Sequence, residues 1–304
     1  MTANAAPAAK APTASPSRAR RLAIWLSARP RLRLAALLAG PIGWLVIAYL
    51  GSLGILFLNA FWMRDSFTGL VQHEFNLENF IDLVRNPLYA TVALRTVTMA
   101  IAVTLTCAAL AFPIAYYMAR VASPRTRGLL VVAVLMPLWA SYLIKAYTWR
   151  LILSNEGVLN WLLAPLGLRG PGLGDSPVGL WLVFTYLWLP YMILPLYAGL
   201  ERIPTSVLEA SADLGGRGWV TFRRVIFPLV VPALVAGSIF TFSLTLGDYI
   251  APGLVTTTQF IGNLIYSNFG VPNLPFAAAL SILPLTIVVA YLLVARRLGA
   301  FEAL

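Results

Sequence analysis

The sequence predicts an all-α integral membrane protein with six transmembrane helices, and three observations carry that prediction. Hydrophobic residues make up 60% of the 304 positions and charged residues only 11%, with a mean hydropathy of +0.81. A soluble domain of this length needs more charge to clothe its surface. The charges also stand in short clusters separated by long apolar runs. Those runs reach the roughly 20 residues that a helix needs to cross a bilayer core, where only helices and closed barrels satisfy the backbone.

Residues 1–33 are rich in Ala, Pro, Ser and Arg and read as a disordered, basic tail, leaving 34–304 as the transmembrane domain. A cleaved signal peptide is the competing reading of the start. The apolar run Leu34–Met63 is, however, much longer than the ~7–15 residues of a signal h-region, so it is expected to remain as the first span. Charge-free runs at Thr96–Ala119, Ser176–Leu200 and Val225–Gly247 mark three more, and Gly128–Trp149 another, interrupted only by Lys145. Tyr249–Ala295 is too rich in Pro, Gly, Thr and Asn at its start to be continuous helix. It predicts an irregular or partly re-entrant segment before a sixth span at Pro275–Ala295. Pro41, Pro113, Pro137, Pro190, Pro195, Pro228, Pro232 and Pro284 fall within these spans, each removing a helix hydrogen bond and inviting a kink.

Loop charge sets the expected orientation. With the N-terminus cytoplasmic, the inner side holds Lys10, Arg18, Arg20, Arg21, Arg29, Arg31, Arg33, Arg120, Arg125, Arg127, Arg202, Arg217, Arg223, Arg224, Arg296 and Arg297, which is 16. The outer side holds Arg64, Arg85, Arg95, Arg150 and Arg169, which is 5. Both termini are therefore expected inside. The net charge of +11 belongs to span ends rather than to a nucleic-acid surface. Cys107 lies within an apolar run and reads as a small buried hydrophobe. His73 has no Cys or His cluster near it, against a zinc site. A phosphate-binding P-loop needs Gly-Lys-Ser or Gly-Lys-Thr. Lys10 and Lys145 are each followed by alanine and preceded by no glycine, so ATP chemistry is excluded from this chain. Gly170–Asp175 reads as an external turn.

The most informative segment is the loop 201–224 between the fourth and fifth spans. Ser206 and Glu209 have capping-box spacing, predicting a helix from Val207. Gly215 and Gly216 can supply the left-handed residue that ends it. A helix of two turns is not stable alone, so it either lies on its own bundle or docks on another protein. Glu209-Ala210-Ser211, three residues, Gly215, nine residues, then Val225-Ile226-Phe227-Pro228 resembles the EAA loop of ABC importer permeases. That family's pattern is E-A-A, three residues, G, nine residues, I-x-L-P. Ser211 stands for an alanine, Val225 for an isoleucine and Phe227 for a leucine. In that family the loop is the coupling helix seated in a groove of the ATPase subunit, and the resemblance assigns that role here to Ser206, Glu209, Ala210, Ser211, Asp213, Gly215 and Arg217.

The resemblance extends along most of the chain after the tail. Phe75–Phe80 with Asn86–Tyr89, Pro137-Leu138-Trp139, Leu143–Tyr147, Asn155–Asn160, Leu246–Pro252 and Ile261–Ile265 are similar to segments of spermidine/putrescine-type permeases. It implies a type I importer-like bundle in a bacterial inner membrane, with polyamine as substrate class and alternating access driven from outside the chain. The implied partners are a second homologous permease subunit, two ATP-binding ATPase subunits that carry ATP and Mg, an external solute-binding protein and membrane lipid. Amino acid derivatives, opines and ferric iron remain alternative cargoes. An ion-coupled secondary transporter would show several carboxylates within spans, and a membrane-embedded enzyme a clustered His, Asp, Ser or metal constellation.

Ionisable groups at membrane depth line cavities or pair. Asp248 is expected either to meet a cationic substrate or to be satisfied by a partner group. Lys145 is expected either to pair with Asp248 or to snorkel outward. Trp139, Tyr142, Tyr147, Trp149, Tyr249 and Tyr266 can offer ring faces to ammonium groups or act as interfacial anchors.

Overall fold

The computed structural model describes residues 30–65, 67–167, 173–270 and 273–297. The expected basic tail lies outside the described residues except at its end, where helix already begins at Pro30. The chain divides between Leu56 and Phe57 into two compact units. The first contains α1 (Pro30–Leu45), a π-helical segment (Val46–Gly51) and the opening of α2 (Ser52–Asn59). Leu37–Asn59 is long and apolar enough to cross a membrane.

The second unit opens with a hairpin, β1 (Met63–Arg64) antiparallel to β2 (Val71–Gln72). Among the described residues this ladder is the one departure from an all-α fold. Asp65 accepts from the backbone N–H groups of Phe67 (2.7 Å) and Thr68 (2.9 Å), the turn that short polar side chains favour. Those two bonds hold its carboxyl below the ordinary aspartate range. α3 (Glu78–Arg85) follows. Buried Asn79 donates to the carbonyls of Ala60 (3.0 Å) and Trp62 (2.8 Å), and Asn86 caps the next helix by accepting from Leu88 N–H (3.0 Å).

α4 (Pro87–Tyr116) runs into a π-helical segment (Tyr117–Val121). At ~1.5 Å per residue this 35-residue helix is far longer than the ~30 Å hydrocarbon core. The charge-free run Thr96–Ala119 marks only its middle. Arg95, which ends that run, donates to the Gln259 carbonyl at 3.1 Å.

The third span departs from expectation. Instead of one helix across Gly128–Trp149, α5 (Pro124–Trp139) and α6 (Tyr142–Leu153) meet at a two-residue break. The chain bends there by 93°. Ala140 and Ser141 are extended, with ψ of 142° and 133°, and Pro137 sits just upstream. Lys145 Nζ donates to the Pro137 carbonyl at 3.0 Å, supplying a partner to an acceptor that the break leaves without an intrahelical N–H. Pro41, Pro113, Pro190, Pro195, Pro232 and Pro284 are, like Pro137, carried inside helices.

After α7 (Val158–Leu163) comes α8 (Pro177–Glu201), the centre of the unit, packed against α4 and α11 (Phe227–Gly247). Phe184, Leu187, Met192, Leu196 and Leu200 of α8 share a core with Val103, Cys107, Ala111 and Val230. Small residues set the α8–α11 approach, as they do between helices in lipid. A Cβ on Gly237 would stand 2.8 Å from Met192 Sδ. Between α8 and α11 lie α9 (Thr205–Asp213), α10 (Gly218–Thr221) and a third π-helical segment (Phe222–Ile226). The segment before the last span resolves into α12 (Ile250–Val255) and α13 (Ile261–Gly270), followed by α14 (Leu274–Arg297). Among the described residues five helices are long and apolar enough to span a membrane, and six spans result when the bent α5–α6 pair counts as one.

Candidate functional site

The loop after α8 is built as a docked helix with one bare face. α9 starts at Thr205, two residues before the expected position, with Pro204 (φ −66°, ψ 144°) as its N-cap and no side-chain cap. The Ser206–Glu209 capping box does not form. Ser206 is already inside the helix, whereas a capping hydroxyl must sit on a residue outside it. Val207 N–H bonds to the Pro204 carbonyl instead (3.2 Å).

The far end closes as the glycines predict. Gly215 has φ +75°. Its N–H reaches the Ala212 carbonyl (2.9 Å), and Gly216 N–H reaches the Ser211 carbonyl (2.8 Å), the paired bonds of a Schellman termination. A Cβ on Gly216 would stand 2.6 Å from both Ser211 O and Ser211 Oγ. Ser211 Oγ also pairs with Thr221 Oγ1 at 2.9 Å, so this loop serine fixes the turn into α10.

Val207 and Leu208 pack against the bundle core. Glu209, Ala210, Ala212, Asp213 and Arg217 are exposed, and Leu214 is 90% exposed. Glu209 makes no side-chain hydrogen bond or ion pair among the described residues. The two readings of the loop are thus two faces of one helix, one resting on the bundle and one bare.

Two arginines that count in the sequence only as loop charges fasten this end of the bundle. Arg120 Nη2 donates to the carbonyls of Leu200 and Ile203, each at 2.6 Å. Arg127 donates to the Met118 (3.1 Å) and Ala119 (3.2 Å) carbonyls and pairs with Glu201 at 3.2 Å. Cations at helix C-termini satisfy the last carbonyls and complement the dipole. A cavity of about 560 Å³ opens between α8 and α11 next to this clasp, lined by Pro195, Gly199, Arg202, Pro204, Val207 and Ala233 among others.

The second constellation lies at the opposite end of α11. Asp248 Oδ2 accepts from the Tyr142 hydroxyl. Its Oδ1 accepts from the N–H groups of Ile250 (2.8 Å) and Ala251 (3.2 Å), holding the start of α12. Three of a carboxylate's four or so acceptor positions are therefore occupied. Lys145 does not pair with Asp248; it holds the Pro137 carbonyl on the other side of the bend. Tyr142 stacks on Trp188 of α8 at 6.0 Å. Trp188 is a residue the sequence reading did not select, and its buried Nε1–H finds no acceptor among the described residues.

The other aromatic candidates separate. Tyr249 and Tyr266 stack at 4.6 Å with both rings exposed, and Trp149 packs against Tyr186 at 5.3 Å. Trp139, beside the bend, is 90% exposed, and Tyr147 is also exposed. Gly262 lies so close to the Asp248 carbonyl that any side chain would collide with it. Asn263 Oδ1 accepts from Phe260 N–H (2.6 Å) and Thr96 Oγ1 from Ile261 N–H (3.0 Å). The Ile261–Ile265 segment therefore seats α13 on α4.

Among the described residues no His, Cys, Asp and Glu group could hold a metal ion. What the geometry offers is a helical loop with a bare apolar and acidic face at one end of the bundle, and an aromatic-flanked carboxylate at the other.

Known proteins resemble this chain in sequence and in fold. The sequence profile described as "Binding-protein-dependent transport system inner membrane component" matches residues 111–299. The inner membrane ABC transporter permease protein YdcU of Escherichia coli K12 is 48% identical over 290 residues, 90% of this chain and 92% of that protein. The spermidine/putrescine transport system permease protein PotB of Salmonella typhimurium SL1344 is 34% identical over 265 residues, 83% of this chain and 88% of that one. Among solved structures, a bacterial alginate ABC transporter in complex with alginate pentasaccharide-bound periplasmic protein superposes with a TM-score of 0.72 at 18% identity, covering 92% of this chain and 98% of that one. The fold, the loop and these similarities agree, and the chain belongs to the binding-protein-dependent inner membrane components, the multi-pass permease subunits of ATP-binding-cassette importers whose ATPase is a separate chain.

Proposed function

We propose that this permease imports a polyamine such as spermidine or putrescine, with α9 as the coupling helix that receives the ATPase stroke. The observation that carries the coupling role is the bare face of a helix too short to stand alone, closed by a left-handed glycine at +75° and fastened to α8 through Arg120. The polyamine assignment rests on similarity to PotB. It is supported by Asp248 among Tyr142, Trp188 and the Tyr249–Tyr266 stack, since carboxylate and aromatic faces both attract ammonium groups.

The working assembly in this reading is this chain, a second homologous permease subunit, two ATPase subunits that bind ATP and Mg, and an external solute-binding protein. No cofactor is held by this chain. The α9 end of the bundle and both termini face the cytoplasm, supported by the 16-to-5 distribution of Lys and Arg. Reconstitution of the assembly in vesicles, with uptake of labelled spermidine, tests the substrate class. Uptake that excess unlabelled spermidine does not compete away overturns it.

A further inference from the structure

A second feature of the α9 end has no place in the transport scheme. Between α4 and α11 an open cavity of about 220 Å³ is lined by Ala108, Phe112, Phe222, Phe227, Val230 and Leu234, with Ala109 and Val231 completing a wholly apolar wall. Phe222 and Phe227 frame it from either side of the π-helical segment Phe222–Ile226. Their spacing is the i, i+5 repeat of a π-helix, so both rings fall on the groove side. The two residues that follow Phe222, Arg223 and Arg224, are exposed and meet no carboxylate among the described residues. Trp219, 70% exposed, stacks on Phe222 at 5.3 Å, as ring systems do at the membrane–water boundary. The segment opens the span Gly218–Gly247, the depth at which phospholipid headgroups lie.

We propose that this groove binds an anionic phospholipid, one acyl chain lying along α4 and α11 and the phosphate held by Arg223 and Arg224. Charge complementarity selects the headgroup, because two consecutive exposed arginines that meet no carboxylate among the described residues favour an anion. Depth selects a lipid over an acidic protein segment. The groove runs between α4 and α11 from Phe227 past the buried Val230 to Leu234, and its apolar wall suits an alkyl chain and not a charged loop.

The test uses the complete transporter assembled in nanodiscs of phosphatidylglycerol and phosphatidylcholine, with retained lipid counted by native mass spectrometry after release. The expected result is selective retention of phosphatidylglycerol, lowered about tenfold or more by the paired change Arg223→Gln and Arg224→Gln. Ala109→Trp, at an exposed position that lines the groove, should lower it with both arginines intact. Leu110→Phe, exposed beside it but outside the groove, should leave it unchanged. Equal retention of the two lipids, or retention unaltered by both the arginine and the groove variants, overturns the proposal. So does an arginine variant that sheds an ATPase subunit while keeping its lipid, which makes the pair a protein contact. The readout is binding rather than uptake, so it stands or falls separately from the substrate assignment.

Discussion

Gly215→Val isolates the loop from everything else the permease does. No atom lies within 4 Å of where a Cβ on Gly215 would stand, so the cost of valine there is backbone conformation and not collision. An L-residue held in the left-handed region costs ~1–2 kcal/mol, and a β-branched one lies at the upper end. If the turn opens to relieve that strain, the Gly215–Ala212 and Gly216–Ser211 bonds are lost, at ~0.5–1.5 kcal/mol each. The loop takes the cheaper of these two courses, so the cost is roughly 1–2 kcal/mol and shifts the loop equilibrium by about 5- to 30-fold, without touching the membrane core. The assay is spermidine uptake together with ATP hydrolysis stimulated by loaded binding protein, in vesicles holding the full assembly. Both should fall while membrane insertion is normal, and Gly215→Asn, which tolerates positive φ, should recover most of the loss. Normal uptake and normal stimulation in Gly215→Val would refute the coupling role.

The remaining expectations need only simple readouts. A reporter fused after Gly215 should behave as cytoplasmic and one between Ser154 and Asp175 as external; finding both on one side removes the orientation. The purified chain should hydrolyse no ATP above background, and activity that tracks it through repurification contradicts the absence of a P-loop. Asp248→Asn should lower polyamine uptake with assembly intact, and Tyr142→Phe should act in the same direction by releasing Asp248. If uptake survives Asp248→Asn while Lys145→Met abolishes it, the carboxylate has no part in handling a cation. Arg120→Ala removes charged bonds to the Leu200 and Ile203 carbonyls, worth ~1.5–3 kcal/mol each; faster proteolysis within 201–217 should report the loosened loop, and an unchanged cleavage rate would mean that the clasp is not needed.

The spans were legible because lipid leaves few choices: a charge-free run of sufficient length must be helix. Four apolar runs mark helices whose ends extend a few residues further or fall short. The bend at Ala140–Ser141 was hidden, because Pro137 looks like Pro113 or Pro190, which lie inside helices. What distinguishes it is Lys145 reaching back eight residues to the Pro137 carbonyl, a tertiary contact that no local pattern encodes. The end of α9 was legible in Gly215, since a demand for positive φ leaves its mark on residue type. Its beginning was not. Ser206 and Glu209 have the spacing of a capping box, but Pro204 sets an extended N-cap two residues earlier. Glu209 therefore supports no fold contact, and an alanine there, a strong helix former, should leave α9 standing. Any loss of hydrolysis stimulation in Glu209→Ala then reports a contact outside this chain.

Arg120, Arg127 and Trp188 were missed for a shared reason, and together they show how the two ends of the molecule are joined. The arginines read as topology signals and the tryptophan as one more apolar residue in a span, since their roles exist only between helices. Arg120 holds the carbonyls on either side of the α8 exit, at Leu200 and Ile203. Arg127 ties Glu201 of the same helix to the Met118 and Ala119 carbonyls. About 18 Å along α8, at ~1.5 Å for each residue from Leu200 back to Trp188, Trp188 stacks on Tyr142, whose hydroxyl holds Asp248. One helix thus touches both the chain leading into α9 and the carboxylate through named contacts. A packed route is not by itself a coupling; that requires two arrangements of the same contacts. The Trp188 Nε1–H finds no acceptor among the described residues, so a second arrangement that supplied one would register there. A buried donor left unpaired costs ~1–3 kcal/mol, a penalty that a state giving it a partner would remove. Tryptophan fluorescence of a variant in which the other eight tryptophans are phenylalanine would register such an exchange on ATP addition to the assembly. An emission spectrum indifferent to ATP, in a variant that still transports, would place the moving contact elsewhere.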